Sequence, residues 1–592
     1  MPLGPGLLDE LRRILGPDGL VASAEGRLVY ECDMHTFYKG APDVVALPES
    51  TAEVVAIVRL CRGERVPIVP RGSGTGLIGG AMAPLGGVMI GLNRMTRIVE
   101  IDLANRAATV QPGLINLWLT RAVQERGWFF APDPSSQMVS SIGGNVSTNA
   151  GGPHCLKYGI TANHVLGLEL VTGAGEVVRL GGKVADRAGY DLTGVAVGSE
   201  GTFGLVTAVT VRLLHTAEAV QTILASFGSI EEASEAVSAI IAAGIIPAAL
   251  EMLDELMIRA INEGTGAGYP KDAGAVLLIE LDGPRAEVLA QAERVATICR
   301  ERGALDVRVA RDESERALLW KGRKEAAGAV GRLAPTYLLQ DCVVPRSRLP
   351  EIMRALRAIA ERHRVQIANV FHAGDGNLHP LILYDDRNPE ELERAKAANE
   401  ALLHACIAMG GTITGEHGVG LDKAKNLPLQ YGEADLNFMA RLRRIFDPDR
   451  IMNPGKLLPS HPACGEGFRP ARPRVPQRAR GSSAHASRAA GPTGTRGRDR
   501  GTTRHASAAP LRLGSTWAPG VRSQRAGTGP FDPCRTCPSV QASRAWAITS
   551  QWRLFGKSHR GACQMNRGSS AGFARAACSG GGFGGGHRGP LR

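Results

Sequence analysis

The sequence predicts an α+β protein of two folded parts followed by a segment without regular structure. Three observations carry that reading. Short apolar runs broken by glycine turns dominate as far as residue 214, strand-then-helix units recur from about 217 to 331, and hydrophobic periodicity vanishes beyond about 469. A length of 592 residues allows three or four ordinary domains, or two large ones and an appendage, and a 44% hydrophobic content is enough for sizeable cores.

Taken in order, residues 6–16 have the spacing of a short amphipathic helix, and 52–62 that of a second, with Ser50 or Thr51 as its N-cap. A strand over 66–70 runs into a glycine-rich loop. Strands are predicted at 88–92, 97–103, 107–113, 165–172, 177–180 and 205–214, with one helix, 115–126, among them. The pattern then changes. Strand 221–227 leads into helix 230–243, strand 275–281 into helix 285–303, and strand 306–310 into helix 313–331, the repeat of a ferredoxin-like α/β layer. Strands 365–371 and 378–384 flank Ala-Gly-Asp-Gly-Asn as a hairpin; helix 389–409, a sheet-like segment over 411–420 and a last helix, 433–445, complete the folded chain. The expected organisation is an N-terminal segment (1–38), a first domain (39–217), a second (218–410), a returning segment (411–458) and an Arg/Gly/Ser-rich tail (459–592).

Charge divides the same way. Residues 469–592 hold 22 basic residues against Asp499 and Asp532, a net +20, so residues 1–468 carry −8 of the chain's overall +12. The body is mildly acidic, and the basic whole-chain average is no argument that it binds nucleic acid. The tail cannot bury enough apolar surface to offset ordering entropy, so disorder is expected there. Its skew toward arginine, with Lys557 the sole lysine beside 21 arginines, is what an out-of-frame, non-native extension would give. Its lone Cys534-x-x-Cys537 is at most half of a zinc site. No run of about 18 apolar residues occurs; the nearest, 236–250, is interrupted by Pro247 and ended by Glu251. The N-terminus has acids early and no long apolar run, so it does not read as a signal peptide, and the scattered cysteines read as reduced thiols, so a cytoplasmic protein is expected.

Three glycine motifs carry the first chemistry. Residues 70–80 contain Gly74-Thr-Gly76-Leu-Ile-Gly79, a literal G-x-G-x-x-G, with Glu100 and Asp102 about where a Rossmann acid would stand. A Rossmann motif must open a helix, yet the continuation holds Pro84, Gly86 and Gly87, so a nicotinamide reading is refused in favour of a loop whose successive backbone N–H groups hold phosphate. Residues 132–152 are dense in Gly, Ser and Asn, which lets backbone approach a flat ligand; residues 198–206 make another tight turn before a strand. A second cluster follows. His372 and His379 stand at the two ends of a tight hairpin, and Gly415-Glu416-His417-Gly418 adds a carboxylate and a third imidazole. Two histidines and a glutamate suit a divalent metal with one position left open. The alternative for His372 and His379 is a hydrogen-bonded fold role, and Asp375 reads as a turn residue.

In this order and spacing, with the segments PDPSSQ, SIGGN, NAGGPHCLKYG, ANVFHAGDGNLHPLIL, GEHGVG and FDPDRIMNPGK, the chain from about 27 to 467 resembles the FAD-linked oxidases with a vanillyl-alcohol-oxidase, PCMH-type FAD-binding fold. It is most similar to their glycolate-oxidising and D-lactate-dehydrogenase branch. The resemblance implies a PCMH-type FAD-binding domain and a ferredoxin-like cap that binds substrate. It implies that Arg71, Gly72, Ser73, Gly74, Thr75, Gly76 and Leu77, with Ser141, Gly144, Asn145, Thr148, Gly201, Val206 and Asn453, line FAD. Some members attach flavin through a histidine in the first loop; that loop has none here, so non-covalent FAD is expected. The resemblance further implies His372, His379 and Glu416 as ligands of a divalent metal, zinc foremost, His417 as the base, and Arg323 as the cation for the substrate carboxylate. Members acting on 2-hydroxyglutarate carry a lysine near the position of Gln340-Asp341; its absence here favours a small monocarboxylate, glycolate before D-lactate. The implied partners are a second flavin-fold subunit and an iron–sulfur subunit, with membrane association through them. An RNA-binding role for the Arg/Gly tail is the rival from another class.

Overall fold

The computed structural model describes residues 3–35, 37–184 and 188–459, so the expectations for the Arg/Gly/Ser-rich tail lie outside the described residues. In the first part, four short strands order as Leu20–Val21, Val44–Ala46, Val88–Gly91 and Ile68–Arg71. The last three run parallel, and Ile68 also bridges Met452 from the far end of the chain. Helix Thr51–Gly63, N-capped by Ser50 Oγ, lays Val54, Ile57, Val58 and Cys61 against them at helical spacing. A second, antiparallel sheet orders Ile98–Asp102, Ala107–Val110, Gly204–Arg212, Val165–Thr172 and Val177–Gly181.

The glycine loop behaves as its composition requires. No helix lies between Ile68–Arg71 and Val88–Gly91, although the two strands are parallel neighbours; the crossover is irregular chain throughout. Glu100 and Asp102 sit on the other sheet and pair with Lys183.

The second part is built on one antiparallel sheet running Asp306–Val309, Ala219–Phe227, Ala275–Gly283, Ala249–Asp254, Gln366–His372, Asn377–Leu378 and Cys342–Val343, with Pro380–Tyr384 and Thr336–Leu339 alongside. Helices cover both faces, and the strands alternate accordingly. Ala275, Leu277, Ile279 and Leu281 join helices Ile230–Ala242, Arg285–Glu301, Leu349–His363 and Pro389–Ala408 in one core, while Val276 and Leu278 pack with Glu255–Thr265 and Glu313–Lys324 in the other. Three elements depart from the expected pattern. Ala249–Asp254 is a central strand, because Pro247 separates it from the helix before it. The helix foreseen over 313–331 breaks after Lys324. The segment 411–420 contributes a single bridge, Val343 to Thr412, and is otherwise irregular.

Candidate active site

The three glycine motifs and the returning segment converge. A Cβ on Gly72 would lie 2.5 Å from Ser141 Oγ, so the first loop rests directly on the second motif. The second motif forms the short helix Ile142–Thr148, which its glycines disfavour but which Ser141 caps and Ile142 and Val146 anchor in the core. Gly198 N and Glu200 N donate to Val146 O and Ser147 O, bringing in the third motif. Gly201, at φ +72°, passes against the Pro70 ring, and Val206 is buried on strand Gly204–Arg212. Asn453 completes the group, its Nδ2 donating to Gly80 O at 3.1 Å and Glu200 O at 2.7 Å. Arg71 is buried beneath the loop with Nη1 on Ala81 O, Thr148 Oγ1 is turned back on Gly144 O, and Ser73 is exposed at the loop's crest. Two buried polar atoms here, Asn145 Nδ2 and Ser140 Oγ, have no hydrogen-bond partner among the described residues. Buried donors left unpaired are costly, and a polar, hydrogen-bonding ligand such as a flavin nucleotide fits a cradle that holds them.

The second cluster gathers around Glu416. Its Oε1 lies 2.9 Å from His379 Nε2, 3.3 Å from His372 Nε2 and 3.9 Å from His417 Nε2. The rings of His379 and His417 stack at 5.0 Å, and those of His372 and His379 meet edge-on at the same distance. His372 Nδ1 is 2.7 Å from Glu251 Oε1, and His379 Nδ1 faces the carbonyl oxygen of Gln340. An acceptor on each Nδ1 fixes that nitrogen as the N–H donor, which leaves the Nε2 lone pairs of both rings aimed at a carboxylate. Lone pairs and carboxylate repel unless a cation lies between them. That cation is a proton or a metal ion: burial would lower the His372 pKa, but the Glu251 and Glu416 carboxylates raise it well above the ordinary range, and Glu416, despite its burial, is held well below its own. The donor set, with outer partners already on both Nδ1 atoms, fits a divalent metal. His417 differs. Burial lowers its pKa to about 4, so it is a neutral imidazole at pH 7, and its Nδ1 stands 3.9 Å from Asp341 Oδ2.

Arg323 is buried, with Nε and Nη2 both 2.6 Å from Glu251 Oε2 and Nη2 3.5 Å from His372 Nδ1. Glu251 ends the apolar run, but it does so as a central-strand acid joining Arg323 to His372, a role the sequence reading missed. Asp341 also escaped the sequence reading. It accepts from Thr414 Oγ1 and from the backbone N–H groups of Gly415, Glu416 and His417. A lysine does stand at this place, supplied by a distant segment: Lys423 Nζ is buried 3.5 Å from Asp341 Oδ2. Asp375 accepts from Asn377 N and shapes the hairpin turn.

The two parts and their clusters define a flavoprotein fold, and comparison with known proteins gives its class. The FAD binding domain family matches residues 42–181, and the C-terminal domain family of FAD linked oxidases matches 216–457. The chain belongs to the FAD-linked oxidases and is an FAD-linked oxidoreductase with a PCMH-type FAD-binding fold. It is 45% identical to the glycolate oxidase subunit GlcD of Escherichia coli K12, over 74% of this chain and 88% of the relative, and equally to that of Bacillus subtilis, over 76% and 96%. It is 34% identical to the mitochondrial D-lactate dehydrogenase [cytochrome] of Arabidopsis thaliana, over 77% of this chain and 80% of the relative. The fold matches p-cresol methylhydroxylase with a TM-score of 0.66 at 18% identity, covering 77% of this chain and 98% of that one. Among the described residues, no helix is long and apolar enough to cross a membrane.

Proposed function

We propose that the protein oxidises a small 2-hydroxy acid, glycolate first and D-lactate second, as the catalytic flavoprotein subunit of a larger dehydrogenase. The observation that carries this reading is the placement of the His417 ring, with both nitrogens 3.9 Å from the nearest carboxylates, beside a two-histidine, one-glutamate set that suits a divalent cation. FAD, when bound, would supply the hydride acceptor for the α-hydrogen, and His372, His379 and Glu416 would hold a divalent cation that would supply Lewis acidity to the substrate hydroxyl. His417 takes the hydroxyl proton at Nε2, the nitrogen nearer Glu416, and the product is the 2-oxo acid. Glu251 fixes the tautomer of His372 and occupies the Nε–Nη2 edge of Arg323, leaving its Nη1 edge for the substrate carboxylate. Residues 71–77, Ser141, Gly144, Asn145, Thr148, Gly201, Val206 and Asn453 hold FAD without a covalent bond, since residues 72–80 contain no histidine. The same reading divides the chain near 217 and 410, with 411–458 returning to the flavin part.

The electron acceptor is external. The metal-capable side-chain groups among the described residues include no cysteine, and the two bacterial relatives are named as subunits. An iron–sulfur subunit and a second flavin-fold subunit are the partners this arrangement calls for. The test is anaerobic mixing of purified protein with glycolate, D-lactate or 2-hydroxyglutarate while flavin absorbance is followed. Bleaching is expected with the first two and is fastest with glycolate. Flavin that stays oxidised with every 2-hydroxy acid would end the proposal.

A further inference from the structure

The segment that carries Glu416 and His417 has no regular secondary structure, yet its position against the flavin side must be held closely for proton and hydride to leave together. Asp341 grips its N-terminal half from the cap side. Its C-terminal half is gripped from the flavin side by a residue with no role so far. Glu200 Oε1 accepts from Val419 N and Oε2 from Gly420 N, each at 2.7 Å, so both carboxylate oxygens are spent on consecutive N–H groups just past His417.

Everything around Glu200 is built for this contact. Its own backbone is left-handed, at φ +52°, and is fixed by donation to Ser147 O and by the Asn453 amide on its carbonyl. Gly418, at φ +95°, lies so near that a Cβ there would stand 2.7 Å from Glu200 Oε1, and Gly420 is likewise left-handed, with Ile78 O where a side chain would go. The side chain is buried, and burial lifts its carboxyl to about 7 against the pull of the two N–H groups, Lys456 and Lys423. Three segments therefore meet at one residue: Ser147 of the second glycine motif and Asn453 of the returning segment hold its backbone, and its carboxylate holds Val419 and Gly420 of the segment that carries His417.

We propose that Glu200 is a positioning residue for the oxidation, setting the placement of His417 against the flavin side through the backbone of Val419 and Gly420. Both its carboxylate oxygens are committed to that backbone, so it acts through other residues. The inference rests on the reading of His417 as the base, and its test separates the two. Glu200→Gln keeps length and one acceptor oxygen but turns an NH2 toward one of the two N–H groups; Glu200→Asp keeps the charge but falls a methylene short. Displacing a reacting group by about an ångström costs on the order of 10²-fold. Glu200→Gln is therefore expected to retain full flavin and to slow anaerobic flavin reduction by glycolate by about 10–100-fold with little change in the substrate concentration for half-saturation, with Glu200→Asp intermediate. The decisive arm is a double-mutant cycle with His417→Asn. If Glu200 acts through His417, Glu200→Gln adds nothing in the His417→Asn background. Full additivity, flavin loss in both Glu200 variants, or a Glu200→Gln reduction rate equal to wild type would overturn the proposal. A wild-type rate for His417→Asn alone would overturn the reading beneath it instead.

Discussion

At the scale of single residues, the site separates into groups that hold and one group left free to react. His372 and His379 each commit Nδ1 to an acceptor and Nε2 to Glu416, whereas the His417 ring nitrogens stand 3.9 Å from the nearest carboxylates. His417→Asn is thus expected to keep flavin and to lose turnover by about 10²–10⁴-fold, the usual contribution of general-base catalysis. Flavin reduction measured without an acceptor is the check, and a wild-type rate would remove His417 as base. His372→Ala removes one of the proposed metal ligands and leaves Glu251 paired with Arg323. Its expected loss is of bound metal, read by elemental analysis, with activity partly restored by added divalent cation. Metal content equal to wild type would rule His372 out as a ligand. Flavin should leave every variant on acid or heat denaturation, and flavin that stays with the precipitated polypeptide would contradict non-covalent binding. The imidazoles and Glu416 were legible because their motifs are local. Glu251 and Asp341 were not, since each meets its partners across more than 70 residues of sequence.

At the scale of elements, helix Glu313–Lys324 joins the site to the contact between the two parts. Arg316, Trp320 and Arg323 recur at i, i+4 and i+7, so one face of the helix meets two buried strand acids: Glu280 takes Arg316 and Trp320, and Glu251 takes Arg323. From the flavin part, the segment 154–158 reaches the same strand. His154 pairs with Asp133 at 2.7 Å and Glu280 at 3.2 Å and stacks on Trp320, while Lys157 and Tyr158 both bind Asp282. Burial would lower the His154 pKa, but the two carboxylates raise it to about 10; burial would raise that of Glu280, but His154 and Arg316 hold it at about 2. The histidine's contribution is complete below its ordinary pKa of 6.5 and is lost as pH rises through about 10. The glutamate's is complete above 4.5 and is lost as pH falls toward 2. The joint is therefore strongest between about pH 4.5 and 6.5 and weakens on the alkaline side. His154→Gln should destabilise the holoprotein by about 1–3 kcal/mol near pH 6, because Glu280 keeps Arg316 and Trp320. It should also flatten the fall in melting temperature between pH 7 and 10; an unchanged slope would show that His154 does not carry it. Little of this joint could be read in advance. The spacing 316, 320, 323 is ordinary for a helix, and only the placement of two acids in apolar strands gives it meaning.

At the scale of the whole molecule, strands and helices with clean periodicity were legible from end to end, as was the refusal of a Rossmann fold. The short helix Ile142–Thr148 and the strand Ala249–Asp254 were not, since glycine content hid the one and an adjoining apolar helix the other. The segment 447–458 ties back to the flavin part. Asp447 accepts from Ile451 N and Met452 N, Met452 bridges Ile68 beside the glycine loop, and Lys456 is fully buried with Nζ on Met82 O at 2.8 Å and Asn453 Oδ1 at 3.0 Å. Among the described residues, Leu458 is the last packed into a core, and the C-terminal family match ends at 457. A chain ending at Pro459 keeps all these contacts and should match the full-length protein in flavin-to-protein ratio and in turnover with glycolate. A chain ending at Phe446 loses the Met452 bridge, the Asn453 amide that ties Gly80 to Glu200, and the buried Lys456, and it should be recovered without flavin. Both are measured on the purified proteins by absorbance and by assay with an artificial acceptor. Flavin loss from the chain ending at Pro459 would give residues 460–592 a part in holding the cofactor, and flavin retained by the chain ending at Phe446 would remove Asn453 from its binding.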